Sequence, residues 1–204
     1  MIRLLRFLFH VEQKLCYNKY METQRTAGGN ELLDSEDILK DILELPYGAS
    51  VADLGTGSMA FFTLQAAKIV GDKGVVYGLD IVKEVLSSVA GKAKQEGLIN
   101  IKTVWTNLEV VGAAQIPPVD YTLLVNTVFQ GQNRQAMFNE AYRLTKPEGK
   151  LLFVDWKPAV GAVGPAAGIR IRPEKAEALA LNAGFVKVKD FEAGINHYGM
   201  VFKK

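Results

Sequence analysis

The chain has 204 residues, of which 49% are hydrophobic and 23% are charged, and its formal net charge is +2. This length suits one domain with a sizeable core, and the composition excludes disordered, collagen-like and coiled-coil proteins. The near-neutral charge lacks the basic footprint of a dedicated nucleic-acid-binding protein, so a nucleic-acid partner is not expected. A single cysteine, Cys16, excludes an internal disulfide and a cysteine-rich metal site. We therefore expect a cytoplasmic protein with no metal centre.

The N-terminal stretch of about 15 residues alternates apolar and basic side chains. It is too short and too interrupted for a membrane-spanning helix or for the apolar region of a signal peptide. As a helix it would be amphipathic, which allows either peripheral contact with an anionic membrane or packing on the domain. We expect residues 1–34 to form a helical or lid segment and residues 35–204 to form the single main domain.

The remainder alternates short apolar runs with segments of helical periodicity, which is typical of β–α units around a parallel sheet. The predicted helices are Ser35–Leu45, Ser58–Val70, Val82–Glu96, Asn133–Thr145 and Pro173–Ala183. The predicted strands are Ser50–Leu54, Val75–Leu79, Asn100–Trp105, Asp120–Val125, Lys150–Asp155, Phe185–Asp190 and Ile195–Phe202. The link between the last two strands is too short for a helical crossover, so one of them should run antiparallel. The pattern predicts a Rossmann-like, doubly wound α/β fold of three layers with a seven-stranded, mostly parallel sheet.

The first strand ends in a glycine-rich turn that two functions could use. Read as Gly55-x-Gly57-x-x-Ala60, with Asp80 following at 80 − 57 = 23 positions, it satisfies a dinucleotide-binding fingerprint. Read as Asp53-x-Gly55-x-Gly57, it places a carboxylate at the end of a buried strand. That charge would repel a pyrophosphate and attract a cationic group, so it favours a cationic cofactor.

With these motifs in this order, the chain from Val51 onward resembles the class I S-adenosylmethionine-dependent methyltransferases, in particular those that act on small molecules or in quinone biosynthesis. The resemblance implies that S-adenosylmethionine is the cofactor and S-adenosylhomocysteine the product. It implies the following cofactor contacts: Asp53, Gly55, Thr56, Gly57, Asp80, Ile81, Asn107, Leu108 and Asn126.

Each contact has a role that the resemblance implies. The glycine turn would hold the methionine end of the cofactor, and Asp80 would accept hydrogen bonds from both ribose hydroxyls. Ile81 would lie against the adenine, and Asn107 would accept from the adenine amino group. Asn126, after the fourth strand, would line the region of the methyl donor.

Two positions depart from the family pattern, because Met59 replaces a frequent glycine and Asn107 replaces an acidic residue. These departures leave open a module that binds S-adenosylmethionine but turns over weakly or not at all. An NAD-dependent oxidoreductase remains the enzymatic alternative.

Methyl transfer mainly requires that the acceptor be held in line with the methyl group, and a general base is needed only for a protonated acceptor. The candidates for such a base are His197, Tyr198 and Asp155, each of which also has a structural explanation. The fourth strand is not followed by an Asn/Asp-Pro-Pro-aromatic tetrad, and the cysteine lies outside the main domain. A small-molecule acceptor is therefore expected, while its identity and the oligomeric state stay open.

Overall fold

A computed structural model describes residues 32–158 and 163–204. The predictions for residues 1–31, including the amphipathic segment and the lid, lie outside this part. Within it, the strands are β1 Ser50–Leu54, β2 Val75–Asp80, β3 Ile101–Trp105, β4 Val119–Val125, β5 Thr145–Trp156, β6 Val186–Phe191 and β7 His197–Lys203. They form one sheet in the order β3-β2-β1-β4-β5-β7-β6.

The strands run parallel from β3 to β5, and β7 is inserted antiparallel between β5 and β6. The antiparallel direction of one of the last two strands was predicted from their short link. The sequence did not predict that β7 lies between β5 and β6. The carboxyl ends of β1, β2, β4 and β5 therefore lie at one edge of the sheet, together with the amino end of β7. Open α/β sheets bind their ligands at this edge.

The helices are α1, in which Ser35–Asp37 continues as a π-helical turn over Ile38–Ile42, then α2 Phe61–Val70, α3 Lys83–Gln95, α4 Arg134–Leu144 and α5 Pro173–Ala183. Asp34 caps α1 by accepting from the backbone N–H of Asp37 at 3.1 Å. The helix ends earlier than predicted, since Glu44 adopts a left-handed backbone with φ of 59°. Pro173 opens α5 and Gly184 closes it, as expected from their conformational preferences.

Helix α2 begins three residues later than predicted. Gly57 and Ala60 both have positive φ, 67° and 55°, so the chain between them turns rather than winding into an α-helix. Ala60 N donates to Gly57 O at 3.2 Å across this turn. The later start leaves Ser58 and Met59 in the loop at the ligand-binding edge.

Apolar side chains cover both faces of the sheet. One face packs Val51, Leu123 and Val154 against α1 and α2, and the other packs Leu124 and Phe153 against α4 and α5. Because both faces of the sheet are buried, the central strands consist of nearly uninterrupted hydrophobic residues. The predicted three-layer α/β fold is confirmed. Over the described ranges, no helix is long and apolar enough to cross a bilayer.

Candidate active site

The glycine turn is tied to the neighbouring strand by its backbone. Gly55 N and Thr56 N both donate to the carbonyl oxygen of Leu79, at 2.9 and 3.0 Å. Gly55 has φ of 91°, and a Cβ there would lie 2.4 Å from Thr127 Cγ2. Glycine is therefore required at position 55 by its conformation and by the close approach of the chain that follows β4.

Gly57 differs from Gly55 in its surroundings. A Cβ built on Gly57 meets no atom within 4 Å, although its φ of 67° also favours glycine. The turn therefore opens onto free space at Gly57 and is closed by protein at Gly55. Free space beside a backbone N–H is the arrangement that allows a ligand to approach the main chain closely.

Asp53 lies beneath the turn with 2% of its surface exposed. Its Oδ2 accepts from the hydroxyl of Thr63 at 2.6 Å, and the Thr63 hydroxyl also contacts that of Thr56. Burial raises the pKa of Asp53 to about 6, and the nearby Asp80 charge acts in the same direction against these hydroxyl hydrogen bonds. A cationic group placed near this carboxylate would favour its ionised form.

Asp80 ends β2 beside the turn. Its Oδ1 accepts from Val82 N at 3.0 Å, and its Oδ2 accepts from Gly57 N at 3.3 Å. These two backbone donors fix the orientation of the carboxylate. Each carboxylate oxygen can accept more than one hydrogen bond, so capacity remains for two hydroxyl donors of a ligand.

The residues predicted to surround adenine follow β2 and β3. Ile81 is 53% exposed, whereas Leu108 is 8% exposed and belongs to the core. Asn107 Oδ1 accepts from Glu109 N at 2.9 Å, which closes a local turn after β3. Met59 is 51% exposed at the edge of the glycine turn. Since no atom lies within 4 Å of the Gly57 Cβ position, the Met59 side chain leaves that space open.

The predicted residues after β4 and β5 form a second group. Asn126 is 5% exposed, and its side-chain nitrogen lies 3.1 Å from Nε2 of His197, which is fully buried. Trp156, the last residue of β5, packs on the His197 ring with centroids 4.1 Å apart. The structure therefore brings Asn126 and His197 together and adds Trp156 to them. Burial, with the nearby charges of Arg170 and Lys157, lowers the pKa of His197 to about 3.

Tyr198 and Asp155 are register partners on the opposite face of the sheet from His197. The Tyr198 hydroxyl donates to the carbonyl oxygen of Ile171 at 2.9 Å, and burial raises its pKa. Asp155 Oδ1 accepts from Trp156 N at 2.8 Å. Burial raises the pKa of Asp155 to about 7, although backbone hydrogen bonds from Trp156 and Phe129 oppose that shift. These two side chains therefore pack in the core and do not join the Asn126–His197 pair.

Three side chains at this edge were not predicted as site residues. Thr63 supports Asp53, Thr127 contacts the Gly55 position, and Trp105 donates from its indole nitrogen to Ile81 O at 2.8 Å. Trp105 is 58% exposed at the end of an edge strand. Its position as the last residue of a predicted strand is a sequence signal that could have been followed, because parallel sheets bind ligands at the carboxyl ends of their strands. The two threonines carry no comparable signal. Among the described residues, no cluster of His, Cys, Asp and Glu is arranged to hold a metal ion.

Comparison with known proteins identifies relatives of the chain. A family model described as a methyltransferase domain matches residues 47–179. The chain is 32% identical over 124 residues to the demethylmenaquinone methyltransferase of Geobacillus sp. (strain WCH70), an alignment covering 59% of this chain and 50% of that protein. It is also 32% identical over 117 residues to the Geobacillus stearothermophilus protein of that name, covering 54% and 47%. The chain thus spans about half the length of these curated relatives.

Solved structures share the fold. A SAM-dependent methyltransferase from Aquifex aeolicus superposes with a TM-score of 0.78 and 24% identity, covering 91% of this chain and 97% of that chain. The cyclase SpnF superposes with a TM-score of 0.69 and 14% identity, covering 83% and 80%. The family match extends over more than half of the chain and includes the glycine turn, Asp80 and Asn126. The chain therefore belongs to the methyltransferase-domain family, and its fold is that of the class I S-adenosylmethionine-dependent methyltransferases.

Proposed function

We propose that this chain binds S-adenosylmethionine and transfers its methyl group to a small organic molecule with a quinone-type ring. The family supports the cofactor, and the relatives named as demethylmenaquinone methyltransferases support the acceptor class. When bound, the cofactor supplies a sulfonium methyl group, which an acceptor atom attacks while the electrons of the broken carbon–sulfur bond stay on sulfur.

The observation that carries this proposal is the geometry of Asp80 and Gly57. The Asp80 carboxylate is held by the N–H groups of Gly57 and Val82, and open space lies over Gly57. An oriented carboxylate beside an open glycine turn fits a ribose with two neighbouring hydroxyls. Under the proposal, Asp80 accepts from both hydroxyls and the turn from Gly55 to Gly57 holds the methionine end.

Charge also favours this cofactor over a dinucleotide. Asp53 and Asp80 each raise the local negative potential, and the repulsion between them contributes to the raised pKa of the buried Asp53, of which burial is the main cause. A cofactor with a sulfonium and an ammonium group relieves this repulsion, whereas a pyrophosphate adds to it.

The two departures from the family pattern are compatible with binding. Met59 leaves the space over Gly57 open. The Asn107 carbonyl oxygen accepts one hydrogen bond, from Glu109 N, and its second lone pair can still accept from the adenine amino group.

Among the three candidate bases, we assign a site role only to His197. Its low pKa keeps the ring neutral at physiological pH, so it acts as a hydrogen-bonding group and not as an efficient proton acceptor. Tyr198 and Asp155 face the other side of the sheet and are assigned to packing.

The proposal is tested by incubating the protein with methyl-labelled S-adenosylmethionine and a reduced naphthoquinone that lacks its ring methyl group. We expect label in the extracted organic product and one S-adenosylhomocysteine formed per methyl group transferred. Label that stays entirely in S-adenosylmethionine, while that ligand binds, would contradict the methyl-transfer proposal.

Binding of S-adenosylmethionine without any transfer of label would favour the alternative of a binding module without methyl transfer. The likeness to the cyclase SpnF supports keeping this alternative, because it shows that the fold is shared with a protein named for a different reaction.

A further inference from the structure

Trp156 and His197 form a buried aromatic pair next to the proposed cofactor turn. They are register partners, at the end of β5 and the start of β7, and both are fully buried. Their ring centroids are 4.1 Å apart with the planes inclined by 41°. The two rings therefore pack on each other as a tilted aromatic pair in which each ring carries a polar nitrogen.

The hydrogen bonds of this pair are incomplete. The side-chain nitrogen of Asn126 is a donor and lies 3.1 Å from Nε2 of His197, so Nε2 accepts and the neutral ring carries its proton on Nδ1. Nδ1 of His197 and Nε1 of Trp156 have no hydrogen-bond partner within the described residues. Two adjacent rings thus each bury an N–H donor, and buried donors without partners are rare because each costs about 1–3 kcal/mol.

Two cationic side chains lie near the pair, Arg170 and Lys157, and the Lys157 ammonium group is ion-paired with Glu192 at 2.5 Å. The Arg170 guanidinium carbon lies 5.5 Å from the centre of the Trp156 ring, and Arg170 donates to the carbonyl oxygens of Lys157, Val163 and Pro165. Arg170 and Lys157 also contribute to the lowered pKa of His197. The carboxylate of Asp155, the register partner of Tyr198, belongs to the opposite face of the sheet. Two N–H donors close to the Arg170 guanidinium favour an oxygen that carries negative charge.

The pair is connected to the cofactor turn by a short chain of contacts. His197 contacts Asn126, and the next residue, Thr127, approaches Gly55, with its Oγ1 lying 3.5 Å from Gly55 O. Asn126 N also donates to Val154 O at 2.9 Å, which fixes the loop after β4 against β5. The two unpartnered donors therefore lie at the same edge of the sheet as the groups proposed to hold the methyl donor.

We propose that Trp156 Nε1–H and His197 Nδ1–H hold an oxygen of the methyl acceptor, and that the acceptor is a planar aromatic molecule bearing an ionisable hydroxyl or a carbonyl group. This inference rests on the proposed function, because it assigns the acceptor side of the same site. It makes Trp156 and His197 determinants of acceptor specificity, and loss of the Trp156 donor should leave the cofactor affinity unchanged.

The test uses the indole N–H resonances of the full chain in a nitrogen–proton correlation spectrum. The sequence contains two tryptophans, so the spectrum has two indole signals, and Trp105→Phe assigns them. The protein is titrated with 1-naphthol and with naphthalene, which has the same rings without the oxygen, both with and without S-adenosylhomocysteine. Trp105 serves as the internal control, since its indole nitrogen already donates to Ile81 O.

We expect 1-naphthol to move the Trp156 indole proton downfield, with the Trp105 signal unchanged and no such movement with naphthalene. Equal responses to both compounds, or no response of Trp156 with or without S-adenosylhomocysteine, would overturn the oxygen subsite. Binding of S-adenosylhomocysteine is read separately in the same samples, so a failure of the cofactor proposal is distinguished from a failure of the subsite.

A variant gives an independent readout. Trp156→Phe keeps the ring and removes the donor, and we expect it to weaken 1-naphthol binding by roughly 5- to 10-fold, the effect of one neutral hydrogen bond. Its affinity for S-adenosylhomocysteine should equal that of the wild type. An unchanged 1-naphthol affinity would contradict the proposal, and the wild-type titration decides the question if the variant does not fold.

Discussion

The two halves of the ligand-binding edge differ in how their buried polar groups are satisfied. At the ends of β1 and β2, Asp53 is hydrogen-bonded by Thr63, and Asp80 is held by two backbone N–H groups. At the ends of β4 and β5, Trp156 Nε1, His197 Nδ1 and one carboxylate oxygen of Asp155 have no partner in the part of the chain that the structure describes. The two carboxylates of the first half are therefore held without a ligand, whereas three groups of the second half are unsatisfied. Thr106 Oγ1, directly after β3, is also buried without a partner among the described residues.

This difference suits two functions, cofactor binding in the first half and acceptor binding in the second. A completed network keeps the same shape whatever the acceptor is, which suits a cofactor site that must be preorganised. A buried hydrogen-bond donor without a partner carries a free-energy cost, and a ligand with a matching oxygen removes that cost. Such donors therefore suit the selection of one methyl acceptor over another. The predictions below alter one half at a time and ask whether the other half responds.

The largest effect is expected at the glycines of the turn. Gly55→Ala would bring its Cβ to 2.4 Å from Thr127 at positive φ, so we expect a loss of about 3–5 kcal/mol in the free energy of unfolding. Gly57→Ala has the same conformational strain without a clash, so we expect a loss of only about 1–2 kcal/mol. Its cofactor affinity should nevertheless fall, because the new methyl group occupies the open space. Urea denaturation and calorimetric titration measure the two quantities.

Gly91→Ala is the matched control for these variants. Gly91 lies within α3, and a Cβ there meets no atom within 4 Å. Alanine is the better helix former, so stability should rise by up to about 1 kcal/mol with cofactor affinity unchanged. Equal stability losses in Gly55→Ala and Gly57→Ala would contradict the distinction between the closed and open glycines.

The second prediction concerns the pH dependence of stability and the other half of the edge. Folding raises the pKa of the Asp155 carboxyl from 3.8 to about 7, so its protonated form is favoured in the folded state. The resulting stability is present below about pH 4 and is lost as the pH rises through 7. Relative to Asp155→Asn, the wild type should therefore lose up to about 4 kcal/mol between pH 4 and pH 7, because each tenfold change in the proton-binding equilibrium corresponds to about 1.4 kcal/mol.

Denaturation curves at several pH values measure this difference. Asp41→Asn, at an exposed helical position, is the control for the loss of one carboxylate. If the free energies of unfolding of the wild type and of Asp155→Asn changed in parallel with pH, the raised pKa of the Asp155 carboxyl would be contradicted.

The third prediction concerns Asp80. Asp80→Ala removes the acceptor proposed for both ribose hydroxyls, so we expect the affinity for S-adenosylmethionine to fall by about 1–3 kcal/mol, roughly 5- to 150-fold. Asp72→Ala, in the 3₁₀ turn at the opposite end of β2, should bind normally. Calorimetry on both variants checks the assignment, and an unchanged dissociation constant in Asp80→Ala would refute it.

The smallest effect is expected at Trp105, for which we propose a positioning role through Ile81. Trp105→Phe removes the indole donor to Ile81 O and keeps a ring beneath the Lys83 ammonium group. We expect affinity for S-adenosylmethionine to fall by about 0.5–1.5 kcal/mol. Trp105→His offers a ring N–H and should restore part of it. Full affinity in Trp105→Phe would mean that the hydrogen bond does not hold the adenine-facing loop.

The first half of the edge was predictable from the sequence because its signals are local. Asp53, Gly55 and Gly57 lie within five residues, and Asp80 ends the next strand, so the motif and one β–α–β unit specify their neighbourhood. The number of strands followed from the alternation of elements, and the antiparallel direction of one of the last two strands followed from the short final link. The sequence did not predict the strand order, nor which of the two strands is antiparallel. The predicted boundary of α2 was wrong, since nothing in the sequence indicates that Ala60 adopts a left-handed conformation.

The second half depends on pairing between distant segments. Trp156 and His197 meet only because β5 and β7 pair antiparallel in one register, and a shift of one residue would exchange His197 for Tyr198. The sequence named both His197 and Tyr198 as candidates and could not separate them. It also could not show that Thr127 lies against Gly55, because that contact joins loops that are 72 residues apart.

The account is tested most directly by calorimetric titration of the wild-type protein with S-adenosylhomocysteine and, separately, with NADH. The geometry of Asp80, Gly57 and Asp53 predicts that S-adenosylhomocysteine binds with a 1:1 stoichiometry and that NADH does not bind. Binding of NADH without S-adenosylhomocysteine would contradict the account and would assign the glycine turn to a dinucleotide.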